Sequence, residues 1–283
     1  MWEKFMVATL GTMTALAAEP ADEKPKRPVD GIMDNSFFVE EAYNQEAGVV
    51  QHIFNAACGV NKFRGPEERA WNLTFTQEWP VPDMRHQFSY TVPYNLVESG
   101  GQSRHGVGDV LLNYRYQAYY DEKSLTAFAP RFSLVLPTGD EKQGFGNNTL
   151  GYQWLLPFST AIGDRWFLHA NAGLTFLPDA GTRPAHDLLN YNLGASAIYC
   201  ASERLNFMLE WVGAWNESPN DHGGLRRDFA ALISPGVRYA FNFSNESQIV
   251  LGVGVPGGLT RAAPDLGVFL YFSFEHRLGG KKS

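Results

Sequence analysis

The stretch WNLTFTQEWPVPDMRHQFSYTVPYNLV (residues 71–97) alternates apolar and polar side chains twice, once on each side of a short break at Pro80–His86. Before the break, Trp71, Leu73, Phe75 and Trp79 fall on one face and Asn72, Thr74, Thr76 and Glu78 on the other. After it, Phe88, Tyr90, Val92, Tyr94 and Leu96 oppose Ser89, Thr91 and Asn95. A period of two marks a strand with one apolar face, because successive side chains of an extended chain point to opposite sides. The other face is mostly amide and hydroxyl, not the Lys and Glu that a water-facing sheet carries.

The same pattern recurs in both directions. It predicts strands over residues 112–120, 128–136, 150–158, 166–176, 191–199, 205–215, 229–241, 248–255 and 266–276, and a first one over 49–58. With the two quoted, these make twelve. Most cover about ten residues, the length a tilted strand needs to cross a bilayer, whereas ordinary strands run to about five or six. Short connections (Pro80–His86, Asp121–Ser124, Gly163–Arg165, Ala201–Glu203, Asn242–Glu246) alternate with longer ones (Gly59–Arg69, Glu98–Gly106, Thr138–Asn147, Pro178–Asp187, Asn216–Arg227, Gly257–Asp265). Short inner turns and long outer loops are the rule of outer-membrane barrels. Outward aromatics collect at both strand ends: Trp79, Tyr120, Trp166, Tyr199, Tyr239 and Phe241 at the inner, Trp71, Tyr94, Tyr152, Tyr191 and Trp215 at the outer. Such girdles suit amphipathic rings at two lipid–water interfaces. The expected fold is all-β, a transmembrane antiparallel up-and-down β-barrel of 12 strands.

Composition agrees by exclusion. The chain has 283 residues, 44% hydrophobic, 14% aromatic and 19% charged, with a formal net charge of −7. That aromatic content excludes disorder over most of the chain, and the acidic balance offers no basic stripe for nucleic acid. Two cysteines cannot make a disulfide scaffold. Mean hydropathy is −0.25, and no stretch approaches the roughly 18 apolar residues of a membrane helix.

The N-terminus reads as an export signal. Met1–Lys4 precedes an apolar run ending in Ala15-Leu16-Ala17, an A-x-A cleavage pattern. The expected organisation is a signal peptide at 1–17 and a disordered leader at 18–31. A periplasmic or plug-forming segment at 32–48, the barrel at 49–276 and a tail at 277–283 follow. Cys58 closes the first strand at its outer end and Cys200 the eighth at its inner end, so they should stay unbonded.

No catalytic, metal or cofactor constellation emerges, and no cofactor is expected. Gly252–Gly257 fits G-x-G-x-x-G, but Pro256 stands where a helix should begin, so it reads as a strand end. Gly139–Gly144 has P-loop spacing without the following Lys. A lipid-hydrolysing barrel would need a Ser and a His two apart on an outward face, and the sequence has no His-x-Ser.

What remains is the lumen. Glu78, Arg115, Arg131, His169, Glu210 and Arg238 all point inward and could form one loose layer of charge. Arg115 and Arg131 flank the turn at Asp121–Ser124 almost symmetrically, which makes them cross-strand neighbours. Two adjacent arginines repel unless an anion or carboxylate lies between them. One reading is a constriction selecting polar or anionic solutes. The other is structural filling, with Glu78, Glu210 and the acids Asp34, Glu40 and Glu41 pairing with the cations.

The sequences DNSFFVEEAYNQEAGVVQHI (residues 34–53), GVGDVLLNYRY (106–116) and LVLPTGD (134–140) resemble the meta-pathway phenol-degradation (MetA) family of outer-membrane proteins through most of the mature chain. The last strand, LGVFLYFSF (266–274), is similar to the aromatic-rich terminal strands of bacterial outer-membrane proteins, although EHRLGGKKS follows the aromatic. The resemblance implies a transporter-like barrel with phenolic or other hydrophobic cargo. The expected function is passive passage or uptake of small molecules across the outer membrane of a Gram-negative bacterium. The expected partners are outer-membrane lipids, a small-molecule solute and the outer-membrane assembly machinery. A structural barrel that transports nothing and a lipid-modifying enzyme are the alternatives.

Overall fold

The alternating segments pair in chain order into one antiparallel sheet that closes on itself. The computed structural model describes residues 36–63, 67–181, 185–220, 223–244 and 247–277. The expected signal peptide, the leader, residues 32–35 and most of the tail lie outside the described residues.

The twelve strands are β1 (Val49–Asn61), β2 (Glu68–Pro80), β3 (His86–Ser99), β4 (Gln102–Val107, Val110–Tyr116 and Tyr119–Asp121), β5 (Thr126–Phe128 and Arg131–Leu136) and β6 (Gly151–Ile162). They continue with β7 (Trp166–Ala180), β8 (His186–Cys200), β9 (Leu205–Pro219), β10 (Leu225–Asn242), β11 (Gln248–Gly254 and Gly257–Gly258) and β12 (Leu266–Arg277). Each pairs with the next, and β12 closes on β1 from Val49–Arg277 to Val60–Leu266. Among the described residues, closure gives every strand a neighbour on both sides along the body of the barrel, which a lipid environment demands because it offers backbone groups no other partner.

Burial is inverted relative to a soluble protein. Phe54, Leu73, Phe88, Leu112, Trp154, Leu156, Phe207, Leu251 and Leu270 are exposed, whereas Gln51, Gln87, Asn113, Ser133, Ser159, His169, Asn206 and Ser273 are buried. The apolar face therefore meets lipid and the polar face lines the lumen.

Two departures from simple alternation matter. The expected loop Glu98–Gly106 is a tight hairpin: β3 runs straight into β4 through Gly100 and Gly101, both at positive φ (57° and 77°). A two-residue turn of this hand needs positive φ at both positions, which glycine supplies without strain. The second departure is a bulge at residues 117–118, where the register with β5 changes from Arg115↔Arg131 to Tyr119↔Phe128. The extra residue reverses the side-chain alternation. Tyr119 then takes the lipid side, and Tyr120, expected in the lipid-facing girdle, instead pairs with inward Ala127 and meets Tyr43 edge-on. Cys58 and Cys200 are both buried and form no disulfide with each other.

Candidate functional site

Inside the lumen, residues 36–45 run as a strap that forms no ladder of its own. A buried backbone without partners would be costly, and here the inward side chains of the wall supply them. The amides of Phe37, Phe38 and Val39 donate to the Glu210 carboxylate at 2.9–3.2 Å. Asn171 brackets Glu40, accepting from its amide (2.8 Å) and donating to its carbonyl (2.7 Å). Ser159 accepts from the Ala42 amide, and Gln117 donates to the Ala42 carbonyl, both at 2.7 Å. Gln117 also accepts from the Asn44 amide (3.2 Å) and Gln87 from that of Gln45 (2.7 Å). The neutral polar face of strands β3, β4, β6 and β7 is thus a hydrogen-bond lattice for one segment.

At β4 the lattice becomes a cationic clasp. Arg115, only 2% exposed, donates to the Asn44 side chain (2.8 Å), the Glu40 carboxylate (3.1 Å) and the carbonyls of Glu41 (2.9 Å) and Tyr43 (2.7 Å). Its cross-strand neighbour Arg131 reaches the other Glu40 oxygen at 2.8 Å and Gln153 at 2.9 Å. The Glu41 carboxylate lies 3.6 Å from Arg115. Glu40 is thus the carboxylate that allows two adjacent guanidiniums to sit side by side.

The other end of the strap is held by shape as well as charge. The Phe37 ring stacks on Phe269 (centroids 5.1 Å) and tilts against Tyr271 (5.7 Å). It fills a socket floored by Gly236, Gly252 and Gly254, where an added Cβ would approach the ring to 2.6, 2.6 and 3.1 Å. Only glycine lets the ring come this close to the wall.

The six inward residues singled out from sequence therefore do not share one layer. Arg115 and Arg131 cluster around Glu40, and Glu78 accepts from Gln87 nearby (2.9 Å). His169 and Glu210 occupy a single rung, Ser159↔His169↔Ser196↔Glu210, and His169 Nδ1 lies 2.7 Å from Ser159 Oγ. Arg238 is buried four residues nearer the inner end of β10, opposite Asn206 and Gly252. Sequence reading missed Phe37 and its glycine socket, and it missed the strap-binding role of Asn171, Ser159, Gln117 and Gln87. Glycines at 252 and 254 were the available signal, but a socket becomes visible only once its occupant is known.

Further toward the outer end the lining changes. Leu111, Val135, Leu177 and Leu188 form an apolar cluster inside one wall, while the neighbouring β1–β3 wall presents Asn55, Asn72, Thr74 and Asn95. Asp109 pins the outer loop beside this region, accepting from the amides of Gly139 and Asn147 (both 2.9 Å) and the Asn147 side chain (2.8 Å). The G-x-G-D and L-P-T-G-D motifs meet at this point.

Residues 69–275 match the family described as "Putative MetA-pathway of phenol degradation". No curated protein matches the chain. Among solved structures, the COG4313 outer membrane channel from Pseudomonas putida F1 superposes with a TM-score of 0.62 at 15% identity, over 84% of this chain and 98% of its own. The translocator domain of the autotransporter NalP from Neisseria meningitidis gives 0.48 at 10% identity, over 83% and 90% of the two chains. The transport unit of AIDA-I from Escherichia coli gives 0.48 at 9%, over 86% and 95%.

Proposed function

Since the chain belongs to this phenol-degradation family of outer-membrane barrels, we propose that it is an outer-membrane channel for small solutes, held closed at rest by residues 36–45. The observation that carries the reading is the strap itself. It crosses the lumen on hydrogen bonds to side chains from β3, β4, β6, β7 and β9, not on main-chain ladders. Side-chain bonds of this kind contribute about 0.5–1.5 kcal/mol each between neutral groups and about 1.5–3 kcal/mol where Glu210 or Arg115 takes part, and because none belongs to a main-chain ladder the strap can leave with the barrel wall intact.

The outer half of the lumen favours a solute with one apolar and one hydrogen-bonding side, because a leucine–valine cluster adjoins a wall of amides and hydroxyls. Phenolic compounds have that character, in keeping with the family description. The passage is passive and needs no covalent chemistry. The Ser159–His169 contact lies beneath the strap, with Ser159 also engaged by the Ala42 amide, and serves as a structural hydrogen bond.

Single-channel recording in planar bilayers tests this. The whole chain should conduct weakly, and a variant lacking residues 36–45 should conduct several-fold more. Liposome swelling with phenolics, sugars and organic anions then ranks the solutes. The dense filling of the inner lumen also suits a structural barrel that transports nothing. Normally inserted protein that neither conducts nor passes solute, with or without the strap, would establish that alternative.

A further inference from the structure

On the inward face of β4 and β5, one rung separates the apolar cluster of the outer lumen from the cationic clasp. From the outer side to the inner, the pairs run Leu111↔Val135, Asn113↔Ser133 and Arg115↔Arg131. Asn113 and Ser133 are 4% and 0% exposed. The Asn113 amide nitrogen donates to Ser89 Oγ at 3.0 Å, which leaves its Oδ1 for another partner. Among the described residues, neither that oxygen nor Ser133 Oγ has a hydrogen-bond partner. Buried polar atoms are nearly always paired, and each exception asks for a reason. Since the barrel reads as a solute channel, on which this step rests, we infer that the Asn113–Ser133 rung is the subsite that recognises a neutral hydroxyl group on an aromatic solute.

The chemistry matches atom by atom. A hydroxyl both donates and accepts, and the rung offers one acceptor, Asn113 Oδ1, and one donor, the Ser133 O–H. Leu111 and Val135 stand one rung outward, about 7 Å along the strands, where they pack with Leu177 and Leu188. An aromatic ring whose hydroxyl meets the polar rung therefore lies against the apolar one.

The subsite is covered while the strap is in place. Arg131 bends outward from its own rung to bond Gln153 at 2.9 Å, and Gln153 is the neighbour of Ser133 on β6. Glu40 of the strap holds the same guanidinium at 2.8 Å. When the strap leaves, Glu40 goes with it and Arg131 is free to swing off the rung. The hydroxyl thus binds the open form alone, and a ligand that prefers one state must shift the population toward it. Recognition of the solute and release of the strap are coupled by linkage.

The test uses the full chain in planar bilayers, with phenol and toluene as probes, two rings of similar size of which one lacks the hydroxyl. Phenol should raise the fraction of time the channel is open. Ser133→Ala and Asn113→Leu should each raise the half-effective phenol concentration about two- to tenfold, the range that one hydrogen bond sets. The response of each variant to toluene should stay as in the unsubstituted chain. Equal losses for phenol and toluene would mark the two residues as structural and overturn the proposal. Phenol that leaves the open fraction of the unsubstituted chain unchanged also overturns it, even if both variants fail to fold. The channel reading survives either result if the strap-deleted variant conducts and passes phenol into liposomes, whereas a chain that conducts in neither form ends both.

Discussion

At Arg115 the barrel wall donates hydrogen bonds to the carbonyls of Glu41 and Tyr43, whereas across the lumen at Glu210 it accepts them from the amides of Phe37, Phe38 and Val39. A peptide presents both kinds of group, and the wall answers each with a side chain of opposite charge. The two anchors nevertheless differ in what else they use. The Arg115 end is centred on charge, with Arg131, Glu40 and Glu41 gathered around one guanidinium and neutral hydrogen bonds beside it. The Glu210 end adds a fitted aromatic ring in a glycine socket. One anchor is therefore sensitive to charge and the other to volume, and substitutions can separate them.

The largest effect is expected at the charged end. Arg115→Met removes four strap contacts at once together with the ion pair to Glu41. Breaking a buried ion pair from one side costs about 3–5 kcal/mol, so the strap should leave the lumen for water. The expected result is a conductance close to that of the strap-deleted variant, with the folded band on a gel retained. A closed Arg115→Met channel would mean that the socket end suffices by itself.

Next comes the fitted end. Gly252→Ala sets a methyl about where Phe37 packs, and overpacking of this kind typically costs about 1–3 kcal/mol. We expect frequent openings rather than a permanently open channel, because the Arg115 clasp still holds. Adding Phe37→Ala should restore room for the methyl, so the double variant should open less than the sum of the two singles predicts. Strict additivity in that cycle would show that Phe37 and Gly252 do not interact.

A smaller change is expected from Arg131→Glu. The new carboxylate would face Glu40, while Arg115 keeps its own contacts with the strap. In a partly hydrated lumen the repulsion is softened, so the barrel should assemble, and the open channel should shift toward cations in reversal-potential measurements. Unchanged ion selectivity would leave Arg131 as filling and remove it from the solute path.

The barrel was legible in the sequence because its signal is repeated twelve times and each repeat is local. Trp71 to Trp79 and Phe88 to Leu96 declare their faces without reference to anything distant. Arg115 and Arg131 do pair as their near-symmetric spacing about the turn suggested, although the bulge at 117–118 shifts the register between the turn and the two arginines by one residue. Tyr120 was misplaced because a one-residue bulge leaves no composition signature, yet it turns over every side chain beyond it. The socket was illegible for a different reason. Phe37 stands more than two hundred residues before Gly252, and a glycine chosen to make room looks the same as one at a strand end. Asn171, Ser159 and Gln117 read as ordinary lumen residues because their partners are backbone groups, which every sequence possesses.

The smallest expected effect concerns a third, weaker hold near the inner mouth. The Tyr43 hydroxyl donates to the Leu125 carbonyl at 2.6 Å, and its ring meets Tyr120 and His169 edge-on at 6.3 and 6.1 Å. Tyr43→Phe keeps the ring and deletes only the hydroxyl, so the loss should be that of one hydrogen bond, about 0.5–1.5 kcal/mol. The freed carbonyl belongs to Leu125, which is buried in the turn between β4 and β5, so the upper end of that range applies. Both main anchors remain, and single-channel traces should stay closed with brief openings about tenfold more frequent, as this energy sets. Tyr43→Ala removes the ring contacts as well and should open the channel more often than Tyr43→Phe. If the two substitutions behave alike, the hydroxyl carries the whole contribution of Tyr43. If neither changes the opening frequency, the strap is held by Arg115 and Glu210 alone, and the comparison between its ends is complete without a third contact.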